Sequence, residues 1–551
     1  MARCRTRQLK YLVAIVLCVF LFFVFVQLLS GGLPEDEQRP PVNAHLLPLT
    51  KLAKDQHPPP TVVRQEVARD ADRPVLGKHQ APAQSTYLQS SLDLELLRTL
   101  KTYQLRLDKG ITELWWYVRA NSKVTGGDPV ASKRITASVF DQHVMLQNHN
   151  SQVEALVERL LGGWKEATAR ELGGLMERRI RHLQNPPDCG SARKLVCDLT
   201  KTCGFGCQVH HLAMCLGVAY GTRRTLVLRT EGWRYASGGW ETVFMPVSDT
   251  CRDASEGVAW DADHDQHQVV ILPIVESLHP RPPYLPMAVP RDLAEKLIAF
   301  HGYPFVWFMG HLIQYLMRPN PQLQTYLETK RKEMGFQKPI VGVHVRRSDK
   351  VGVEAAYHGI EEYMVHVEEW FAKHGGQKRV FLATDEPDLL AEAKKKYPEY
   401  QFLTDVGISS KAQNQNTRYD LESLYGVTFD VSTLSMSDYL VCCFSSQICR
   451  LAYELMQPLH TDASRFFHSL DDVYYYGGQQ EHRVRAIASH TSTYSGELSM
   501  NAGDQLGIAG NEKDGRSVGT HVQSARRGDF PSYKLEEEII VADFPTYLEV
   551  Q

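Results

Sequence analysis

Between Leu96 and Val118 the apolar positions Leu96, Leu100, Tyr103, Leu107, Ile111, Leu114 and Val118 recur at gaps of three and four, the spacing of one helix face or of a coiled-coil seam. A second such stripe runs from Val139 towards Leu183. Residues 88–184 are therefore expected to form a helical, coiled-coil-like region. Gly110 interrupts the first seam, and the pattern leaves open whether the helices pack on the body of the protein or pair with a second copy. From Cys189 to about Leu470 short apolar runs alternate with helical segments, which predicts parallel sheets covered by helices. Strands are expected at "TLVL" from Thr225, "QVVIL" from Gln268, "IVGVHV" from Ile340, "RVFLAT" from Arg379, "QFLTD" from Gln401 and "YLVCCF" from Tyr439. The prolines of "HPRPPYLPMAVP", His279 to Pro290, are expected to form the crossing between two lobes. The fold class is α/β, with two Rossmann-like lobes around a cleft.

The N-terminus carries a different pattern. Tyr11 to Leu29 is apolar but for one Gln, follows Arg3, Arg5, Arg7 and Lys10, and precedes "PEDE". That length and charge asymmetry predict an uncleaved transmembrane signal anchor at 11–29, with 1–10 cytoplasmic and the remainder lumenal; a cleaved signal peptide is the alternative. Residues 30–87 are rich in proline and charge without periodicity and are expected to be a flexible stem.

At 551 residues with 43% hydrophobic and 23% charged, the chain is long enough for more than one core. Its formal net charge of -3 gives no reason to expect nucleic acid as a partner. Of the 11 cysteines, Cys4 and Cys18 fall in the N-terminal segment. Cys189, Cys197, Cys203, Cys207, Cys215 and Cys251 form one group and Cys442, Cys443 and Cys449 another, which in an oxidising lumen predicts disulfides with one thiol left over. A zinc site built from Cys203, Cys207, His210 and His211 is the competing reading.

The densest candidate chemistry lies in "GVHVRRSDKVGVEAAYHGIEEYM", Gly342 to Met364. A buried parallel strand ends here in two adjacent arginines, followed by Asp349, Lys350 and Glu354, and ligands of such sheets gather where strands finish. An arginine there can clamp phosphate oxygens in two-point fashion. Successive residues of an extended chain face opposite ways, so one of Arg346 and Arg347 is expected to meet phosphate while the other holds the loop. The rival is an acidic metal site at "DADHD", Asp261 to Asp265.

Together with "GGWETVF", "LPIVESLHPRPPYLP", "CFSSQICRLAYELMQ" and "FHSLDDVYYYGGQ", that stretch resembles the α-1,6-fucosyltransferases that add core fucose to N-glycans. The resemblance implies a two-lobed Rossmann-like glycosyltransferase of GT-B-like architecture occupying 185–482. It also implies an inverting transfer from GDP-fucose to the 6-hydroxyl of the innermost N-acetylglucosamine of an N-glycan, with no cofactor and no metal. Site roles follow from it residue by residue. Arg346, Arg347, His344, Tyr363, Asp430, Ser446, Gln447, Tyr235, Phe205 and Gly206 are implied on the donor side, and Asp385, Glu386 and Asp349 on the acceptor side. Glu354 resembles the catalytic base, with Lys350 and Arg346 beside it. The implied disulfides are Cys189–Cys251, Cys197–Cys215, Cys203–Cys207 and Cys442–Cys449, leaving Cys443 free. Where the family commonly has two aspartates after "FLAT", this chain reads Asp385 then Glu386. The resemblance further implies a Golgi membrane location, single-pass type II, and a homodimer through the stem helices. Residues 483–551 resemble an SH3-like β-barrel with a C-terminal tail, although "GNEKDGRSVG" lacks the tryptophan of the proline-binding groove. Other GDP-fucose-dependent enzymes, of the protein O-fucosyl or chitooligosaccharide type, and an inactive membrane-anchored binding protein are the alternatives.

Overall fold

In the computed structural model of the chain, residues 91–121, 129–253, 256–274, 277–282, 284–285, 287–348, 351, 356–414, 416–476, 482–511 and 514–550 are described. All of them belong to the second of two units, 82–551.

Two long helices come first, α1 (Ser91–Asn121) and α2 (Pro129–Gln184), packed on one another with Trp115 against Phe140 and His143. Of the predicted seam, Ile111 is buried. Leu96, Tyr103, Leu107 and Leu114 are 37–58% exposed, so much of the stripe points away from the body. Helix α1 is nevertheless anchored to the body by charge: Lys101 pairs with Asp462 and Arg106 with Glu536, while Asp108 pairs with Arg465.

The first lobe is built from β1 (Lys194–Asp198), α3 (Phe205–Gly221), β2 (Thr225–Arg229), β3 (Val258–Ala259) and β4 (Val269–Leu272). Its strands are all parallel, in the order β2-β1-β4-β3. Strand β1, next to the sheet's centre, is absent from the sequence-based expectation, because "KLVC" is short and lies inside the cysteine cluster. Then follow β5 (Ala288–Pro290), α4 (Arg291–Phe300), α5 (Pro304–Leu316) and α6 (Pro321–Met334). The second lobe comprises β6 (Val341–Val345), α7 (Ile360–His374), β7 (Arg379–Thr384), α8 (Leu389–Lys396), β8 (Gln401–Leu403), α9 (Val406–Gln413), α10 (Leu421–Ser435), β9 (Tyr439–Cys442), α11 (Gln447–Met456) and β10 (Phe467–Ser469). It too is all parallel, in the order β10-β9-β6-β7-β8. Every residue of central β6 is buried, as the unbroken apolar run requires of a strand covered on both faces.

The proline-rich stretch does not make the crossing between lobes. It leads into β5, and three helices intervene before β6. Prolines fit there because β5 is a short edge segment that needs few ladder hydrogen bonds.

The C-terminal module has five antiparallel strands, β11 (His482–Ala486), β12 (Gln505–Asn511), β13 (Arg516–His521), β14 (Arg526–Pro531) and β15 (Leu535–Glu537), ordered β14-β13-β12-β11-β15. They enclose a core of Val484, Leu498, Met500, Leu506, Ile508, Phe530 and Leu535. After it the chain returns: β16 (Ile540–Ala542) pairs with β5, and Phe544 and Tyr547 enter the first lobe's core. Tyr547 Oη donates to the Tyr220 carbonyl at 2.7 Å, and Phe544 packs on Tyr220, Tyr284 and Phe308.

The expected location, a single-pass type II protein of the Golgi membrane, is corrected here. Among the described residues no helix is long and apolar enough to cross a membrane. Tyr11 to Leu29, whose apolarity carried the expectation, lies outside the described residues.

Candidate active site

The carboxyl ends of β6, β7 and β9 lie side by side, and the chemistry-bearing side chains gather on the segments that leave them. Strand β6 delivers His344, Arg346 and Arg347. Arg347 is buried; its Nη1 donates to Glu386 at 2.6 Å, its Nε and Nη2 donate to the His358 carbonyl, and the guanidinium lies over Tyr357. It holds the loop. Arg346 is 17% exposed, with Nη1 2.5 Å from Asp385 Oδ2 and 3.3 Å from Ser348 Oγ.

Asp385, the first residue after β7, also accepts from the backbone N–H groups of Arg347 and Ser348 and from the Ser348 hydroxyl. Burial alone would raise its carboxyl, but the Arg346 charge and these hydrogen bonds outweigh that and hold it below the ordinary carboxylate value. Asp385 and Glu386 are thus the residues that hold the arginine loop. Both carboxylates face guanidinium groups, and the Glu386 side chain keeps 37% exposure.

Around the end of β9, Tyr363 is buried with its hydroxyl 3.3 Å from Cys443 Sγ, and burial pushes its phenol far up. Ser446 precedes α11 as its N-cap, and Gln447 is the helix's first residue. Asp430, on α10, is driven well above the ordinary carboxylate value by desolvation and by the like charge of Asp405, against the opposing pull of Lys330.

The first lobe contributes the "CGFGC" turn at the start of α3, closed by the Cys203–Cys207 bridge. Phe205 N–H donates to Tyr235 Oη at 3.0 Å, and burial beside Tyr419 raises the Tyr235 phenol to about 12. The turn meets the second lobe directly: a Cβ on Gly206 would lie 2.9 Å from Gln447 Cβ and 3.0 Å from its backbone carbon. Glycine is required by that approach. Nearby, Tyr235 packs edge-on against Tyr419, and Arg234 lies 3.2 Å above the Tyr419 ring. Phe205, Gly206, Tyr235, Ser446 and Gln447 therefore form one constellation, and Arg346, Arg347, Asp385 and Glu386 another. Asp349, Lys350 and Glu354 lie outside the described residues.

Among the described residues neither rival set of metal ligands is brought together with its ligand atoms free. Cys203 is bridged to Cys207, and His210 bonds Glu454 and Gln447. Cys197, His211 and Cys215 do cluster, but the two sulfurs are bonded to each other. The "DADHD" loop sits by the starts of the central strands, at the opposite end of the sheet from the "CGFGC" turn. Buried Arg224 ties it there, donating to the carbonyls of His264 and His267 and to those of Lys194 and Gln268, at the starts of β1 and β4. Asp265 is paired with Arg193. The remaining bridges are Cys189–Cys251 and Cys442–Cys449, and Cys443 is a buried free thiol. Residues to which no sequence signal pointed are Arg234, Tyr419, Glu454 and Tyr474, and His210 was marked only as a candidate zinc ligand.

Two parallel-sheet lobes, one ending a central strand in two arginines and the two meeting at the helix starts of Gly206 and Gln447, define a two-lobed α/β protein of a class whose strand ends and helix starts suit anionic ligands. A family model described as "Alpha-(1,6)-fucosyltransferase N- and catalytic domains" matches residues 11–475. An alpha-(1,6)-fucosyltransferase of Drosophila melanogaster is 44% identical over 458 residues, 80% of this chain and 74% of that protein. One of Caenorhabditis elegans is 43% identical over 406 residues, 72% of each. The chain belongs to the alpha-(1,6)-fucosyltransferase family and is a fucosyltransferase. Among solved structures, a NodZ alpha-1,6-fucosyltransferase soaked with GDP-fucose aligns at TM-score 0.32 and 15% identity, over 48% of this chain and 92% of that one. POFUT1 in complex with GDP aligns at 0.31 and 11%, over 52% and 99%.

Proposed function

We propose that the enzyme transfers L-fucose from GDP-fucose to the 6-hydroxyl of the innermost, Asn-linked N-acetylglucosamine of N-glycans, with inversion and without a metal ion. The observation that supports this most is the division of labour between the two arginines. Arg347 is buried in holding the loop, while Arg346, oriented by Asp385, keeps partial exposure at the strand end. Arg346 neutralises the β-phosphate as GDP departs, an interaction worth most in the transition state. The starts of α3 and α11, brought together at Gly206 and Gln447, add backbone N–H groups and helix-dipole charge towards the diphosphate. His344, Asp430 and Tyr363 build the guanine pocket, where a base edge offering N–H donors would favour ionised Asp430. The 6-hydroxyl oxygen attacks the fucose anomeric carbon, the bond to the β-phosphate oxygen breaks, and Glu354 accepts the hydroxyl proton with Lys350 keeping it ionised.

The test is direct. The purified protein, given GDP-fucose and a biantennary N-glycopeptide, is expected to add one fucose at the 6-position of the innermost residue, and EDTA is expected to leave the rate unchanged. Absence of product would overturn the assignment, and an EDTA-dependent loss restored by manganese or magnesium would overturn the metal-free mechanism.

The reading extends to the flanking parts. The C-terminal strands form an SH3-like barrel with a scaffold or acceptor-side role, supported by its packing on α1, where Gly515 lies against Tyr117. The exposed stripe of α1 is a coiled-coil seam for a second copy. Light scattering is expected to give a dimer, converted to monomer by Leu114→Glu with Tyr103→Glu; a monomeric wild type at micromolar concentration would refute the seam.

A further inference from the structure

A buried polar chain crosses from the first lobe to the second with no role in the chemistry so far. His210, on α3, is 3% exposed. Its Nε2 lies 2.7 Å from Glu454 Oε2 and its Nδ1 2.5 Å from Oε1 of the Gln447 side-chain amide. Glu454 is fully buried, and its second oxygen accepts from Tyr474 Oη at 2.6 Å. Tyr476 closes the set: its hydroxyl donates to the His210 carbonyl at 2.6 Å and its ring packs edge-on against the imidazole.

The spacing makes this arrangement a clamp. Gln447 and Glu454 are seven residues apart, two turns along one face of α11, and the imidazole bridges them. Gly206 and His210 are four apart on α3, again on one face, so the same two helix faces touch at Gly206–Gln447 and at His210. The carboxylate is acceptor-only, so Nε2 donates to it and the ring's orientation is fixed, while Nδ1 accepts from the Gln447 amide once that amide is turned with its NH2 towards the ring. Nδ1 is thereby aimed at the Gln447 amide, the first side chain of α11 and the neighbour of Ser446.

We propose that His210 is a positioning residue for the donor site: it does not reach the donor itself but locks Gln447, and with it the start of α11, against the "CGFGC" turn. The proposal rests on the reading that these two helix starts face the diphosphate. A simple packing role would be filled by any side chain of similar volume. The positioning role demands a nitrogen at each end of the ring and the carboxylate behind it.

Calorimetric titration of GDP into the wild type, His210→Gln, Glu454→Gln and Arg346→Lys tests it, with steady-state kinetics on the same proteins. Glutamine at 210 retains polarity but cannot bridge both partners, and glutamine at 454 keeps the shape while removing the charge that orients the ring. Both are expected to weaken GDP and raise the Michaelis constant for GDP-fucose roughly tenfold, as for losing a hydrogen bond to a charged partner. The Michaelis constant for the glycopeptide and kcat at saturating donor should stay within about twofold. If His210→Gln does not fold, Glu454→Gln alone carries the same expectation. Wild-type GDP affinity in the 210 and 454 variants with weakened binding in Arg346→Lys overturns the positioning role and leaves the donor site standing. Wild-type affinity in all three overturns both. Equal losses for donor, acceptor and kcat mark a general structural role and also refute the proposal.

Discussion

Arg346→Lys is expected to reduce kcat/KM by roughly a hundredfold or more, the scale on which losing one preorganised charge-stabilising group acts. Lysine preserves the cation that Asp385 needs, so the buried carboxylate keeps a counter-charge and the melting temperature should stay within a few degrees of the wild type. What it removes is the planar fork: an ammonium is a point charge and cannot present two parallel N–H groups to a phosphate. The effect belongs in the transition state, where negative charge accumulates on the departing diphosphate, and so should appear in kcat as well as in donor affinity. Arg346→Ala would confound the measurement by leaving the buried Asp385 carboxylate without its counter-charge, at a folding cost of about 3 kcal/mol. A lysine variant with wild-type kcat/KM would remove Arg346 from the mechanism.

Deleting the chain from Arg483 onward is expected to abolish transfer, and the structure adds a reason beyond the loss of a docked module. The deletion removes β16 from its pairing with β5 and takes Phe544 and Tyr547 out of the first lobe's core. Emptying two aromatic sites costs about 3–5 kcal/mol each, comparable to a typical domain's whole stability. Glu536, the partner of Arg106 on α1, goes as well. Phe544→Ala in the full-length protein separates the two effects. It leaves the module in place and should still lower the stability of the first lobe by about 3 kcal/mol, read as an earlier unfolding midpoint in urea. A truncated protein that folds and retains kcat and both Michaelis constants would refute the integrated architecture.

The parallel sheets were legible because their strands are buried on both faces and so read as apolar runs; "IVGVHV", "RVFLAT" and "YLVCCF" correspond to β6, β7 and β9. β3, β5 and β10, of two or three residues each, carry no periodicity and escaped notice, whereas β8, as short, was found within "QFLTD". The stripe from Leu96 marked a helix correctly, but period alone cannot say which face meets the body, and that face proved to be only partly the apolar one. At the site, the arginines stood out because charge at the end of an apolar run is conspicuous. That Asp385 and Glu386 bind those arginines was not legible, since the pairing joins the ends of two strands about 40 residues apart. His210 gave still less away, as "VHHLAM" does not distinguish it from His211; only the second lobe's Glu454 does.

The bond between Tyr220 and Tyr547 spans 327 residues, which sets an order on how the protein comes into being. Domains generally fold as they are synthesised, N-terminal first, yet here the earliest sheet lobe remains short of its final aromatic contacts until Tyr547, 327 residues beyond Tyr220, has left the ribosome. Until Phe544 and Tyr547 emerge, nascent chains therefore carry an open apolar surface around Tyr220, Tyr284 and Phe308, a surface for chaperones to hold. Any chain released early keeps that surface exposed, so premature termination yields a product recognisable as unfinished.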